Sequence, residues 1–189
     1  MKKKIFGLFV LTFLLNSTVF SKSLEEITND ENYKKMVELA EKYEALSKRT
    51  EIVLKTEKLD AQYGSYSFKV PVEVEGRQTE TGYSGTEGSG IFWVSEYSLD
   101  KNISGVTPEE LALSTLETAV PKDVKILSKE KGKKSGYVIY IETDRIVAKS
   151  ITCFNESFIA YTVVMDIKSG YKEIFLNVYI DMMTSVKKN

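Results

Sequence analysis

Tyr137-Val138-Ile139-Tyr140-Ile141-Glu142, Thr143-Asp144-Arg145, Ile146-Val147-Ala148-Lys149-Ser150-Ile151-Thr152-Cys153-Phe154, Asn155-Glu156-Ser157 and Phe158-Ile159-Ala160-Tyr161-Thr162-Val163-Val164-Met165 follow one another without a break, and their reading decides the fold. The three longer pieces are rich in β-branched and aromatic residues, the composition of strands. The two polar triplets between them are short enough for hairpin turns, so the strands run antiparallel. In the first strand Val138 and Tyr140 oppose Tyr137, Ile139 and Ile141, which makes both sheet faces apolar. One face is expected to take helices; the other then needs a cover, a ligand or a partner.

Upstream, Gly132-Lys133-Lys134 reads as a turn, and Val124 to Leu127 begins the meander. Before it, Thr107-Pro108-Glu109-Glu110 is a helix start: Thr107 caps, Pro108 fits the first helical position and Glu110 closes a capping box. Val106 and Leu111 are spaced as a hydrophobic staple, Ala112, Leu116, Ala119 and Val120 form the stripe to be buried, and Pro121 stops the helix. Further back, Ile52-Val53-Leu54 and then Tyr66, Phe68, Val70, Val72 and Val74 show the strand period, with Pro71 marking an end or an edge. Thr79 to Gly90, with Gly82, Gly85, Gly88 and Gly90, reads as a hairpin loop, and Ile91 to Leu99 as the next strand. Downstream, Tyr171 to Val186 has strand-like composition. However, Glu173, Asn177, Asp181 and Ser185 recur every four positions, and that stripe predicts a helix lying on the sheet.

The start of the chain reads as an address. Three lysines precede the apolar run Ile5 to Leu15, and Val19-Phe20-Ser21 offers a cleavage site, the pattern of a secretory signal peptide. That run is about half the roughly 20 residues a spanning helix needs, so no transmembrane segment is expected after cleavage. The chain from Lys22 on would carry 23 basic and 27 acidic groups. Such a surface gives no electrostatic reason to bind nucleic acid. Thr28-Asn29-Asp30-Glu31 then has capping-box spacing, and Tyr33, Met36, Val37, Ala40, Tyr43 and Leu46 stripe a helix to about Lys48. The expected organisation is a signal peptide over 1–21, an amphipathic helix within 22–49 that either packs on the domain or serves as a partner-binding arm, and one α+β domain over 50–189.

The chain of 189 residues has no histidine and one cysteine. Triads and Cys-His pairs are therefore excluded, as are multi-cysteine zinc sites. Asp100-Lys101-Asn102-Ile103-Ser104-Gly105 resembles the start of a calcium loop, but Leu111 stands where the bidentate glutamate belongs. The glycines of 82–90 do not spell a dinucleotide motif and precede a strand, not a helix. Cys153 reads as a buried, inert thiol, and Lys129, Lys131, Lys133 and Lys134 as a solvated hairpin tip. No catalytic, cofactor or metal residues are assigned. Aromatics make up 11% of the chain, and this excess supplies the candidate binding surface: Tyr83, Phe92, Trp93, Tyr97, Tyr140 and Tyr161.

Tyr66-Ser67-Phe68-Lys69-Val70-Pro71 is similar to an aromatic-x-Phe-x-Val-Pro opening. With the Thr107-Pro108-Glu109-Glu110-Leu111 helix, the meander through Met165 and the ending Thr184-Ser185-Val186-Lys187, residues 65–186 resemble the PsbP-like/DcrB-like superfamily of exported α/β/α sandwich domains. Glu73-Val74-Glu75 stands where that group often has a tryptophan, and the N-terminal helix lies outside the pattern. The resemblance implies an antiparallel sheet flanked by helices. It also implies a non-enzymatic envelope protein, periplasmic or secreted, that helps assemble larger complexes and needs no cofactor. The expected partner is an envelope or extracellular protein; the alternative is a carrier holding an apolar small molecule or lipid between sheet and helix.

Overall fold

The computed structural model describes residues 30–47, 51–99, 105–167 and 175–189. In chain order its elements are α1 (Glu31–Ser47), β1 (Leu54–Ala61), β2 (Gly64–Pro71), β3 (Glu75–Thr79), β4 (Gly82–Glu87), β5 (Gly90–Ser98) and α2 (Pro108–Thr118). Then come β6 (Lys125–Lys131), β7 (Ser135–Glu142), β8 (Arg145–Cys153), β9 (Ser157–Asp166), α3 (Leu176–Met183) and β10 (Lys187–Lys188). The chain divides into two compact units, Met1–Lys42 and Tyr43–Asn189. The expected signal peptide, the Thr28 cap and the loop Asp100 to Ser104 lie outside the described residues. At the start of α1 the Asp30 carboxylate accepts from the Asn32 amide at 2.8 Å, the bond of a helix cap.

The meander forms as its composition requires. β6, β7, β8, β9 and β5 pair antiparallel in that spatial order, and β4 and β3 extend them into a sheet of order β3-β4-β5-β9-β8-β7-β6. A second sheet, β1-β2-β10, was not anticipated. Its β1 is mostly polar between Lys55 and Ala61, so it carried little apolar signal, and β10 is two lysines paired with Tyr66 and Ser67. β2 ends at Pro71, the position where proline costs the ladder nothing.

The glycine-rich stretch is strand β4, not a loop. Gly76 and Gly85 are cross-strand partners. The Tyr83 ring lies over this pair; a Cβ at Gly76 would collide with it, and one at Gly85 would collide with Val74 and crowd the ring. Glycine is required here for close approach rather than for flexibility, so the segment packs as a strand.

The two faces of the large sheet are covered differently. Against one face lie α3, through Tyr179, Met182 and Met183, and the small sheet, through Leu59, Tyr66, Phe68 and Val70. Phe68 meets Tyr83 and Tyr161 edge-on, with ring centroids 5.0 and 5.7 Å away. Against the other face lies α2, whose Ala112, Leu113 and Leu116 pack on Val138, Tyr140, Val147 and Ile151. The helices thus flank the sheet from opposite sides, the α/β/α arrangement that the resemblance implied, although the pattern of β7 alone suggested that one face would take them.

α2 starts as read. The Glu110 amide donates to Thr107 Oγ1 at 3.2 Å, and the Thr107 amide donates to Glu110 Oε2 at 3.0 Å. Val106 and Leu111, spaced for a staple, are both more than a third exposed, whereas the polar box is fully formed. Leu113 takes the buried place expected of Ala119, because the helix ends at Thr118 and Ala119 becomes its C-cap. α3 carries the middle of the predicted stripe, with Asn177 and Asp181 exposed and Tyr179, Met182 and Met183 buried; Tyr171 to Ile174, with Glu173, lie outside the described residues.

Candidate functional site

α2 lies over β7 and β8, and among the described residues Trp93 and Tyr97 of β5 stay exposed on the same face. Alternate residues of β5 make the contrast. Phe92 and Val94 are fully buried on the α3 side, whereas Trp93 is 45% and Tyr97 51% exposed on the α2 side. Beside them, Phe158, Ala160, Thr162 and Val164 of β9 are half-buried, as are Ile91 and Ser95. Tyr97 stacks on its cross-strand partner Phe158 at 5.1 Å between centroids and 19° between planes. The pairing Trp93↔Thr162 and Ser95↔Ala160 keeps low side chains beside the indole and the phenol, so both rings stand above a shallow floor.

Of the six aromatics expected to form a surface, only Trp93 and Tyr97 meet there. Phe92 and Tyr161 are interior on the α3 side, and the Tyr161 hydroxyl donates to the Lys69 carbonyl at 2.7 Å. Tyr83 is buried on that side over Gly76, and burial with the Glu57 carboxylate pushes its phenol up to about 12. Tyr140 is buried beneath α2, where burial, then the Glu142 carboxylate, raises its pKa. These four are corrections to the surface read from the sequence. In a sheet covered on one face and part of the other, most aromatics are needed as core.

One polar cluster escaped the sequence reading. Tyr66 on β2 donates to Glu96 Oε1 at 2.5 Å, and its hydroxyl lies 2.8 Å from the Ser157 hydroxyl. Glu96 also accepts from the Tyr63 amide at 3.0 Å. Burial, then the hydrogen bond to Glu96, pushes the Tyr66 phenol up to about 12. The group stays neutral at any physiological pH, and both Tyr66 and Ser157 are buried from solvent. This arrangement ties β2 to β5 and β9. It presents no activated nucleophile to a substrate.

Cys153 lies within the α2-side cluster, and burial together with Glu109 pushes its thiol up to about 11 despite Lys134. A thiol held that high is a poor nucleophile at neutral pH. The lysines 129, 131, 133 and 134 are exposed as expected, and Lys131 bonds Glu117 of α2 at 3.2 Å. Among the described residues no cluster of three or more His, Cys, Asp or Glu is arranged to hold a metal ion. Among them, too, no helix is long and apolar enough to cross a membrane.

Compared with protein families and with curated proteins, the chain finds no match. Among solved structures it is similar to the solution structure of cyanobacterial PsbP (CyanoP) from Synechocystis sp. PCC 6803. The two superpose with a TM-score of 0.50 at 10% identity, over 75% of this chain and 96% of that one. The fold is PsbP-like. The likeness spans nearly the whole of that protein, so it concerns the layered domain described above and not a single hairpin. At 10% identity it carries the fold alone, and the open half of the α2 face stands as a feature of this chain's own residues.

Proposed function

We propose that this chain is an exported, non-catalytic binding or assembly protein of the cell envelope, and that it holds a protein partner on the open half of the α2 face. One observation carries the reading: β5 buries Phe92 and Val94 completely while exposing Trp93 and Tyr97 in the same strand. An indole and a phenol combine a large apolar area with a polar tip, the side chains most useful at the centre of an interface. The PsbP-like fold, the secretory pattern of residues 1–21 and the lack of histidine support the rest.

The carrier reading places an apolar ligand between sheet and helix. Side chains occupy that space on both sides: Tyr179, Met182 and Met183 under α3, Leu113 and Leu116 under α2. The aromatic face is therefore favoured. The test is affinity capture from envelope extracts with the wild type and with a Trp93→Ala/Tyr97→Ala double variant of unchanged melting temperature. A specific partner retained by the first and lost by the second is expected. Equal capture by both, or a lipid released from the purified protein in native mass spectrometry, would overturn the reading.

A further inference from the structure

The opposite edge of the large sheet carries a second, unlike surface. Residues 122–134 hold Lys122, Lys125, Lys129, Lys131, Lys133 and Lys134 against Asp123 and Glu130, four net positive charges in a chain whose overall formal charge is −1. All six lysines are exposed on β6 or the segments flanking it. Lysines do protect strand edges from pairing with other chains. That role does not explain the register. β6 pairs Ile126 with Tyr140 and Lys129 with Val138, with a bulge between Ile126 and Ser128. In a regular strand, residues 126 and 129 would point to opposite faces. The bulge re-phases the strand, so that Ile126, Lys129 and Lys131 share the α2 face. Ile126, 45% exposed, is thereby an apolar tip set among lysines.

We propose that this bulged edge seats the protein on an anionic lipid bilayer, with Lys129 and the hairpin lysines Lys133 and Lys134 at the headgroup phosphates and Ile126 entering the acyl boundary, while Lys131 stays with Glu117. Long lysine stems suit that geometry, because they reach across the interface while the ammonium stays hydrated. Each lysine near an anionic surface improves partition roughly fivefold. An acidic polypeptide would satisfy the charge but would give Ile126 no apolar phase, which favours the bilayer. This inference is independent of the partner assigned to the aromatic face.

Vesicle co-sedimentation of the purified chain tests it, with phosphatidylglycerol–phosphatidylcholine vesicles against phosphatidylcholine alone. Binding to the anionic vesicles that weakens with added salt is expected. Lys129→Gln/Lys133→Gln/Lys134→Gln should lose about a hundredfold in partition, and the Lys→Arg triple should retain it. Ile126→Ser should weaken the binding that survives in salt, whereas Trp93→Ala should leave it unchanged. Circular dichroism melts confirm that each variant is folded. Equal partition to both vesicle types, or undiminished binding by the Gln variant, would overturn the proposal. So would equal affinity for soluble polyglutamate combined with no effect of Ile126→Ser, which would assign the edge to an acidic protein segment.

Discussion

The two faces of the seven-stranded sheet are built from similar residues and meet opposite fates. On the α3 side, β9 contributes Ile159, Tyr161, Val163 and Met165, all fully buried. On the α2 side the same strand offers Phe158, Ala160, Thr162 and Val164, all half-buried. The first set meets a helix and a second sheet; among the described residues the second meets one eleven-residue helix centred on β7 and β8, with Leu99, Val120 and Val124 beside it. An aromatic residue is core or surface here according to what the rest of the chain can bring over it. The exposed area around Trp93 and Tyr97 follows from how little of the described chain packs over it.

The sharpest way to break this contrast is to truncate neighbours on β5. Phe92→Ala should cost about 3–5 kcal/mol of stability, the range for a fully buried ring. Trp93→Ala, one residue along, should cost under about 1 kcal/mol. Urea unfolding of both variants measures the difference, and equal losses would mean that the α2 side is covered after all.

A smaller effect is expected at the polar tie between β2, β5 and β9. Tyr66→Phe should cost about 1–3 kcal/mol, because Ser157 and Glu96 lose a buried partner. The same residue sets a pH limit. Its folded pKa is raised from 10.0 to about 12, so the neutral phenol is the form the fold holds. Its contribution is complete below pH 10 and is lost as pH climbs from 10 towards 12. Denaturant midpoints taken across that window should fall for the wild type and fall less steeply for Tyr66→Phe.

Thr107→Ala should cost about 1 kcal/mol by removing the α2 cap. The loss should loosen α2 and expose Cys153 beneath it. In the wild type, Cys153 should resist thiol reagents at neutral pH until the protein unfolds. Slow labelling of the native Thr107→Ala variant would show that α2 alone guards that side.

The sequence made the meander plain, because β7, β8 and β9 alternate strongly and their turns are short. It made the α2 cap plain as well, since Thr107, Pro108 and Glu110 act within one turn. It did not reveal which aromatics face solvent. Phe92 and Trp93 are equally suited to a core, and their fates depend on β2 and α3, which reach the sheet from distant parts of the chain. β4 was hidden by its glycines, whose purpose is visible only once Tyr83 is seen lying over Gly76 and Gly85. β1 was hidden by its polarity and β10 by its brevity. Trp93 and Tyr97 were among the residues named from sequence, and the four that accompanied them proved to be interior.

The Asn189 amide donates to the Ser65 carbonyl, and the Lys188 ammonium to the Tyr63 carbonyl, across 124 and 125 residues of chain. During synthesis β1 and β2 can pair as a local hairpin long before β10, the strand on the other side of β2, exists. Joining segments so far apart is slow, since the loop must close before any contact rewards it. The third strand of the small sheet is therefore a late addition, made only once residues 187–189 are available. Until then the edge of β2 at Tyr66 and Ser67 lacks its partner strand and is open to pairing with another chain.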